Sequence, residues 1–206
     1  MLLQDLNIKD FIAQTASNSP VPGGGSVSAL CASLGGALAQ MVTALTIGKK
    51  KYEQSWQEME KIGQEMQQAE QEFLQDIDLD SQAFDKVMFA LKLPKVTPEE
   101  QAFRAGEIEQ ATKYATEVPL SVARRIVKLF PSCKFVASQG NRNAISDIAV
   151  ATMLLRTSTL GALYNVKINL AGLPESQYKS EIEEEVKRLE QIAVTSEKEI
   201  LQIVNL

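Results

Sequence analysis

The chain has 206 residues, 45% of them hydrophobic, with a net charge of −5 and no histidine. That length and apolar content support one domain with a core of its own, and the acidic balance excludes the uniformly basic surface of a non-specific nucleic-acid binder. Without histidine, the commonest general acid/base, the commonest zinc ligand and the Ser-His-Asp and Cys-His arrangements are all absent. Acid/base chemistry therefore falls to Asp, Glu, Lys, Tyr, Cys or the substrate itself. Cys31 and Cys133 form no CxxC pattern, so two reduced thiols are expected, with no disulfide framework and no metal site. The N-terminus lacks the basic, apolar and small-residue succession of a signal peptide, and a cytoplasmic location without membrane or nucleic-acid partners is expected.

Apolar positions recur every three or four residues and Ala, Leu, Gln, Glu and Lys dominate, so the pattern predicts an all-α bundle of long helices forming a single domain over 1–206. A short first helix is predicted over 5–16, then a loop over 17–25 rich in Ser, Pro and Gly. A second helix is predicted over 26–47 within a stretch, 11–48, that has only Lys49 onward as its next charge. It has about the length of a bilayer span, yet carries Ser26, Ser28, Ser33, Gln40, Thr43 and Thr46 among many alanines. A small-residue helix buried on all sides of a bundle fits it better. A long helix, or two stacked end to end, follows over 50–92 and stops at Pro94. Thr97 as N-cap and Pro98 at the first position start the next helix, and Pro119 is predicted to kink or break it. Helices over 143–164 and 176–204 complete the chain.

Pro22-Gly23-Gly24-Gly25-Ser26 precedes a helix directly. It reads equally as an anion-binding helix start or as a flexible turn with Ser26 as N-cap. It is not a Rossmann fingerprint, since position 28 is Ser28 and no strand precedes it. Gly48-Lys49 does not end a Walker motif, since positions 43 and 50 are Thr43 and Lys50. Lys49, Lys50 and Lys51 suit the negative end of the preceding helix and also form a landing site for an acidic ligand tail.

From Tyr52 a four-three spacing picks out Trp56, Met59, Gly63, Met66, Glu70, Phe73, Ile77, Asp80, Phe84, Val87 and Leu91, the seam of a packed helix. Asp80 stands there in place of an apolar residue. Held in the seam, its carboxyl loses hydration, its pKa rises and it becomes a general acid. The alternative is a helix break that leaves Asp80 as an exposed N-cap. Asp76, Asp78 and Asp80 do not open a calcium loop, because the sixth and twelfth positions are Ser81 and Val87. A second stripe, from Asp147 through Ala151, Leu154, Ser158 and Gly161 to Asn165, reads as close helix packing or as the wall of a polar cleft, with Asn169 beyond it.

Several blocks occur together in a specific order. They are Ser19-Pro-Val-Pro-Gly-Gly-Gly-Ser-Val, Leu45-Thr-Ile-Gly-Lys-Lys-Lys-Tyr, Asp80-Ser-Gln-Ala-Phe, Val118-Pro-Leu, Gly140-Asn with Ser146-Asp147, and Tyr164-Asn-Val-Lys-Ile-Asn-Leu. Over about residues 10–170 the chain resembles the formimidoyltetrahydrofolate cyclodeaminase family, which includes bacterial methenyltetrahydrofolate cyclohydrolases. The resemblance implies a dimeric helical domain with folate in a cleft and Asp80 as the proton-donating catalytic residue. It implies Gly24, Gly25, Ser26, Lys49, Lys50, Asn141, Asp147, Asn165 and Asn169 as substrate-binding residues. No cofactor is expected beyond the folate substrate, whose tail is glutamyl or polyglutamyl, and any formimidoyltransferase would be a separate protein. Cyclodeamination of 5-formimidoyltetrahydrofolate leads, methenyltetrahydrofolate hydrolysis is the second reading, and an inactive folate-binding or scaffold protein is the third.

Overall fold

Three of the six α-helix starts among the described residues follow the capping chemistry of the sequence, and one of the others shapes the molecule. A computed structural model describes residues 2–205. Helix α1 (Ile8–Thr15) opens on Asn7, whose side chain accepts from the Asp10 N–H. Helix α4 (Pro98–Gln139) opens on Thr97 in a reciprocal capping box with Glu100, and α6 (Gln177–Val204) opens on Ser176, which accepts from the Lys179 N–H. The start that shapes the molecule is that of α2 (Gly24–Ala44), whose N-cap is Gly23 and has no side chain to offer. Helices α3 (Trp56–Leu91) and α5 (Ile145–Ala171) complete the set, and no strand occurs among the described residues.

Three sequence expectations change. Ser26 is not an N-cap but lies inside the first turn of α2, because the helix begins two glycines earlier. Residues Lys50–Ser55 form a 3-10 segment with Tyr52 outside helical geometry; α3 then runs unbroken past Asp80, so the seam reading holds and the break does not. Helix α4 continues through both Pro119 and Pro131. Pro119 has no N–H to give the Ala115 carbonyl, but the Asn169 amide donates to that oxygen at 2.7 Å. The bond lost inside α4 is replaced from α5, and the helix survives.

Helices α2, α3, α4 and α5 form a four-helix bundle. α2 and α4 occupy opposite corners, each packed between α3 and α5, and α6 lies against α4 and α5. Phe73, Met59 and Met66 of α3, Leu120 of α4 and Leu155 and Leu163 of α5 are fully buried between them. Close approach depends on α2, which turns Ala32, Gly35, Gly36 and Ala39 inward. A Cβ on Gly35 would already stand 3.1 Å from the Ala151 carbonyl oxygen of α5. The expectation that α2 is buried on all sides is corrected. Its large side chains Leu34, Met41 and Leu45 face outward, 50%, 38% and 43% exposed, because its corner position leaves one stripe uncovered.

The three carboxylates of the rejected calcium loop diverge on the continuous α3. Asp78 accepts from the Leu3 and Gln4 N–H groups and pins the N-terminal segment. Asp76 pairs with Arg125 of α4, and burial still pushes its carboxyl up to about 6. Asp80 goes to α2. Enlarging the inner face of α2 tests this packing: Ala39→Leu is expected to lower the unfolding free energy by about 1–3 kcal/mol, measured by urea denaturation. An unchanged midpoint would show that α2 is not held this closely.

Candidate active site

The uncapped start of α2 is completed by Asp80. Its Oδ2 accepts from the Ser26 N–H at 2.9 Å and lies 3.2 Å from the Ser26 hydroxyl, which also donates to the Ile77 carbonyl at 2.9 Å. A side chain of α3 thus satisfies an orphan N–H of α2. Room for it comes from Gly25, where any Cβ would overlap the Asp80 carboxyl. Oδ1 makes no hydrogen bond to protein among the described residues.

Two influences oppose each other on this carboxyl. Burial pushes its pKa above the ordinary aspartate value, and the Ser26 hydroxyl and N–H pull it back. Burial prevails. The seam explains why: Met59, Met66, Phe73 and Ile77 are buried on the same side of α3, and Asp80 stands where that seam leaves the core.

Beyond Asp80 the seam walls a cleft of about 360 Å³. Phe84 and Val87 of α3, Ile168 of α5 and the Pro20–Val21 loop supply apolar surface, and Asn165 and Asn169 of α5 supply amides. Each amide is fixed by a backbone carbonyl: Asn165 donates to Gly161 at 2.9 Å and Asn169 to Ala115 at 2.7 Å. Only the NH₂ end can make those bonds, so both carbonyl oxygens remain as acceptors. No lysine or arginine lines the cleft. A larger hollow of about 630 Å³ lies between α3 and α4 around Lys86 and Tyr114. Its lysine is stacked on the tyrosine ring at 3.9 Å, and it lacks a sheltered acid.

Not every sequence candidate reaches this cleft. Gly24, Gly25, Ser26, Asp80, Asn165 and Asn169 converge there. Lys49 and Lys50 follow the far end of α2, and a helix of that length separates the two places by roughly 30 Å. Asn141 belongs to that far end too, donating to the Leu45 carbonyl at 3.1 Å and accepting from the Asn143 N–H. Asp147, on the first turn of α5, lies there as well. Within one chain these four residues do not line the cleft. Sequence reasoning passed over Pro20, Val21, Ala115 and Ile168 as lining residues; none carries a polar side chain that could have marked it. Phe84 and Val87 were visible only as seam positions.

The fold and site define a helical-bundle protein that presents one partly desolvated carboxylic acid to an uncharged, amide-lined cleft. Comparison with known proteins gives that class a family. The family model described as formiminotransferase-cyclodeaminase matches residues 7–188, and the chain belongs to this family. It is 39% identical over 179 residues to the formimidoyltransferase-cyclodeaminase of Gallus gallus, covering 87% of this chain and 33% of that protein. It is 38% identical over 183 residues to the methenyltetrahydrofolate cyclohydrolase of Methylorubrum extorquens, covering 89% of this chain and 86% of that protein. The crystal structure of formiminotetrahydrofolate cyclodeaminase from Thermotoga maritima superposes with a TM-score of 0.88 at 30% identity, covering 98% of this chain and 97% of that one. The chain thus spans about a third of the animal relatives' length.

The role of Asn169 in α4 is open to direct measurement. Asn169→Leu leaves the Ala115 carbonyl without a donor beside Pro119, and a loss of about 1–3 kcal/mol is expected in urea denaturation. In the Pro119→Ala background, where Ala115 regains its helical partner, the same substitution should cost less. Equal costs in both backgrounds would disprove the substitution of one bond for the other.

Proposed function

We propose that the chain is a folate-dependent cyclodeaminase converting 5-formimidoyltetrahydrofolate to 5,10-methenyltetrahydrofolate and ammonia, with Asp80 as proton donor. The observation that carries this reading is the protonatable Asp80 Oδ1, free of protein partners at the mouth of a cleft without cations. The folate N10 attacks the formimidoyl carbon, forming a C–N bond and a tetrahedral centre. Ammonia departs from that centre only once its nitrogen is protonated, and the C–N bond then breaks to leave the methenyl cation. Because Oδ2 already accepts from Ser26, the acidic proton belongs on Oδ1. Phe84, Val87 and Ile168 offer apolar surface to a flat heterocycle, and the Asn165 and Asn169 carbonyl oxygens suit donors on its edge.

The Methylorubrum extorquens relative, a protein of similar length, favours a second reading, hydrolysis of methenyltetrahydrofolate. Water would then add to the methenyl carbon, and Asp80 would serve the proton transfers at the same tetrahedral centre. Purified protein offered each folate separately decides between them. Ammonia release with methenyl-folate appearance supports the first reading. Methenyl-folate decay above the spontaneous rate supports the second, and silence in both without folate binding sinks both.

Asp80→Asn is expected to lower kcat by ~10²–10⁴-fold with folate binding and helicity retained; near wild-type turnover would show that another group is the acid. The pH dependence has a fixed sign. A general acid works while protonated, so activity falls as pH rises through the elevated Asp80 pKa. Removing the Ser26 hydroxyl takes away a bond that favours the carboxylate, so Ser26→Ala should move this alkaline limb to higher pH. A limb that stays in place or moves down contradicts the assignment.

A further inference from the structure

Glu72, Asp76 and Asp80 follow one another along α3 at one-turn intervals. Residues four apart on a helix hold their Cβ atoms about 5–6 Å from each other, so each carboxyl has the next as a neighbour. One cation serves this row. Arg125 of α4 donates through Nη1 to Glu72 at 3.2 Å and through Nη2 to Asp76. Its Nε donates to the Ser121 carbonyl at 3.3 Å, and its guanidinium lies 5.4 Å from the centre of the Phe73 ring. These contacts fix it over the first two carboxyls, and among the described residues it makes no bond to Asp80.

The row therefore carries more negative charge than its cation can balance. Further along the same α3–α4 surface, Glu65 and Lys128 add one charge of each sign, which leaves the excess unchanged. Asp80, at the inner end, meets no compensating charge from the elements packed around it. Helix α2 is uncharged throughout and offers only the Ser26 donors, and residues 16–23 carry no charge. Helix α4 contributes Ala115 to the cleft, and α5 contributes Asn165 and Asn169, its Lys167 being paired with Glu190 of α6. On α3 itself, Asp78 is turned to the Leu3 and Gln4 N–H groups, while Asp85 and Lys86 line the outer hollow. Asp76 feels Arg125 from α4, and Glu72 and Asp80 along its own helix.

Like charges one turn apart repel, and the coupling is reciprocal. The Asp80 charge that pushes the Asp76 carboxyl upward is answered by an equal push of the Asp76 charge on Asp80. Arg125 touches Asp76, only 3% exposed, and no cation touches Asp80. With its carboxyl at about 6, Asp76 is ionised at neutral pH. We propose that Asp76, held ionised by Arg125, is a positioning residue for the reaction: its negative charge one turn away keeps the transferable proton on Asp80. This rests on the reading of Asp80 as proton donor. Asp76 does not line the cleft and acts only through Asp80.

The Asp80 carboxyl can be titrated directly by carbon NMR on protein labelled at the aspartate carboxyls, its resonance assigned by its absence from Asp80→Asn. In Asp76→Asn the amide oxygen can still accept from Arg125 but the neighbouring charge is gone. The Asp80 midpoint is then expected to fall by roughly one pH unit, opposite in direction to the effect of Ser26→Ala. Asp76→Glu retains the charge and should restore most of that fall. A midpoint that is unchanged or higher in Asp76→Asn, or that falls equally in Asp76→Glu, overturns the proposal. Glu72→Gln, at a partly exposed position, removes the excess charge with Asp76 intact and should lower the midpoint by a smaller amount. It decides the matter if Asp76→Asn does not fold, absence of any fall then overturning the proposal. In turnover, a general acid that loses its proton at lower pH moves the alkaline limb of kcat down, with KM little changed. A limb that stays while the midpoint moves overturns the reading of Asp80 as the acid, and this role with it. Should the wild type turn over neither folate, the functional reading fails and the carboxyl titration still decides whether Asp76 holds the Asp80 proton.

Discussion

The structure depends on one carboxyl placed against the start of one helix. Helix α2 begins in three consecutive glycines and cannot cap itself, so a backbone N–H of its first turn is satisfied by Asp80 of α3. A helix N-terminus favours negative charge, while the apolar seam that delivers Asp80 disfavours it. The balance between these two environments sets the protonation of the group. Neither helix could supply it alone: α3 provides the burial, and α2 provides the donors that oppose the shift and fix one oxygen in place.

A second exchange between helices works in the same manner. Pro119 deprives Ala115 of its helical donor, and Asn169 restores the bond from α5. The asparagine is thereby held at the cleft wall by a defect in its neighbour. Two of the three polar side chains that line the cleft, Asp80 and Asn169, are thus positioned by repairing a backbone deficiency in an adjacent helix. This couples the site to the bundle: side chains that line the cleft also complete the secondary structure.

Much of the fold was legible because its signals are local. Thr97, Pro98 and the glutamates after them marked the start of α4 correctly, and the four-three spacing from Trp56 to Val87 described the buried face of α3. Asp80 was visible as a charged residue in that spacing, as was Glu70, and only Asp80 stood between apolar seam neighbours on both sides within the family block Asp80-Ser-Gln-Ala-Phe. What failed depends on partners distant in sequence. Pro119 was read as a kink or a break because its compensating donor lies 50 positions on, at Asn169. Ser26 was read as a cap or as part of an anion-binding helix start, because nothing local shows that α2 borrows its acceptor from α3. Grouping Lys49, Lys50, Asn141 and Asp147 with Asp80 followed from family motifs, whereas the antiparallel course of α2 and α5 sends them to the other end of the molecule. Periodicity identifies a face and is silent about which end of a helix holds the site.

Gly25 and Asp80 also constrain each other in inheritance. The carboxyl occupies the volume that a methyl group at position 25 would need, so the two positions cannot vary independently. A descendant that kept the bundle but gave up the acid would have a methyl-sized hole beside α2, and alanine at position 25 would fill it. Loss of the carboxyl in this lineage should therefore leave a paired signature, the aspartate and the glycine replaced together. A chain retaining both keeps the carboxyl and the space that admits it.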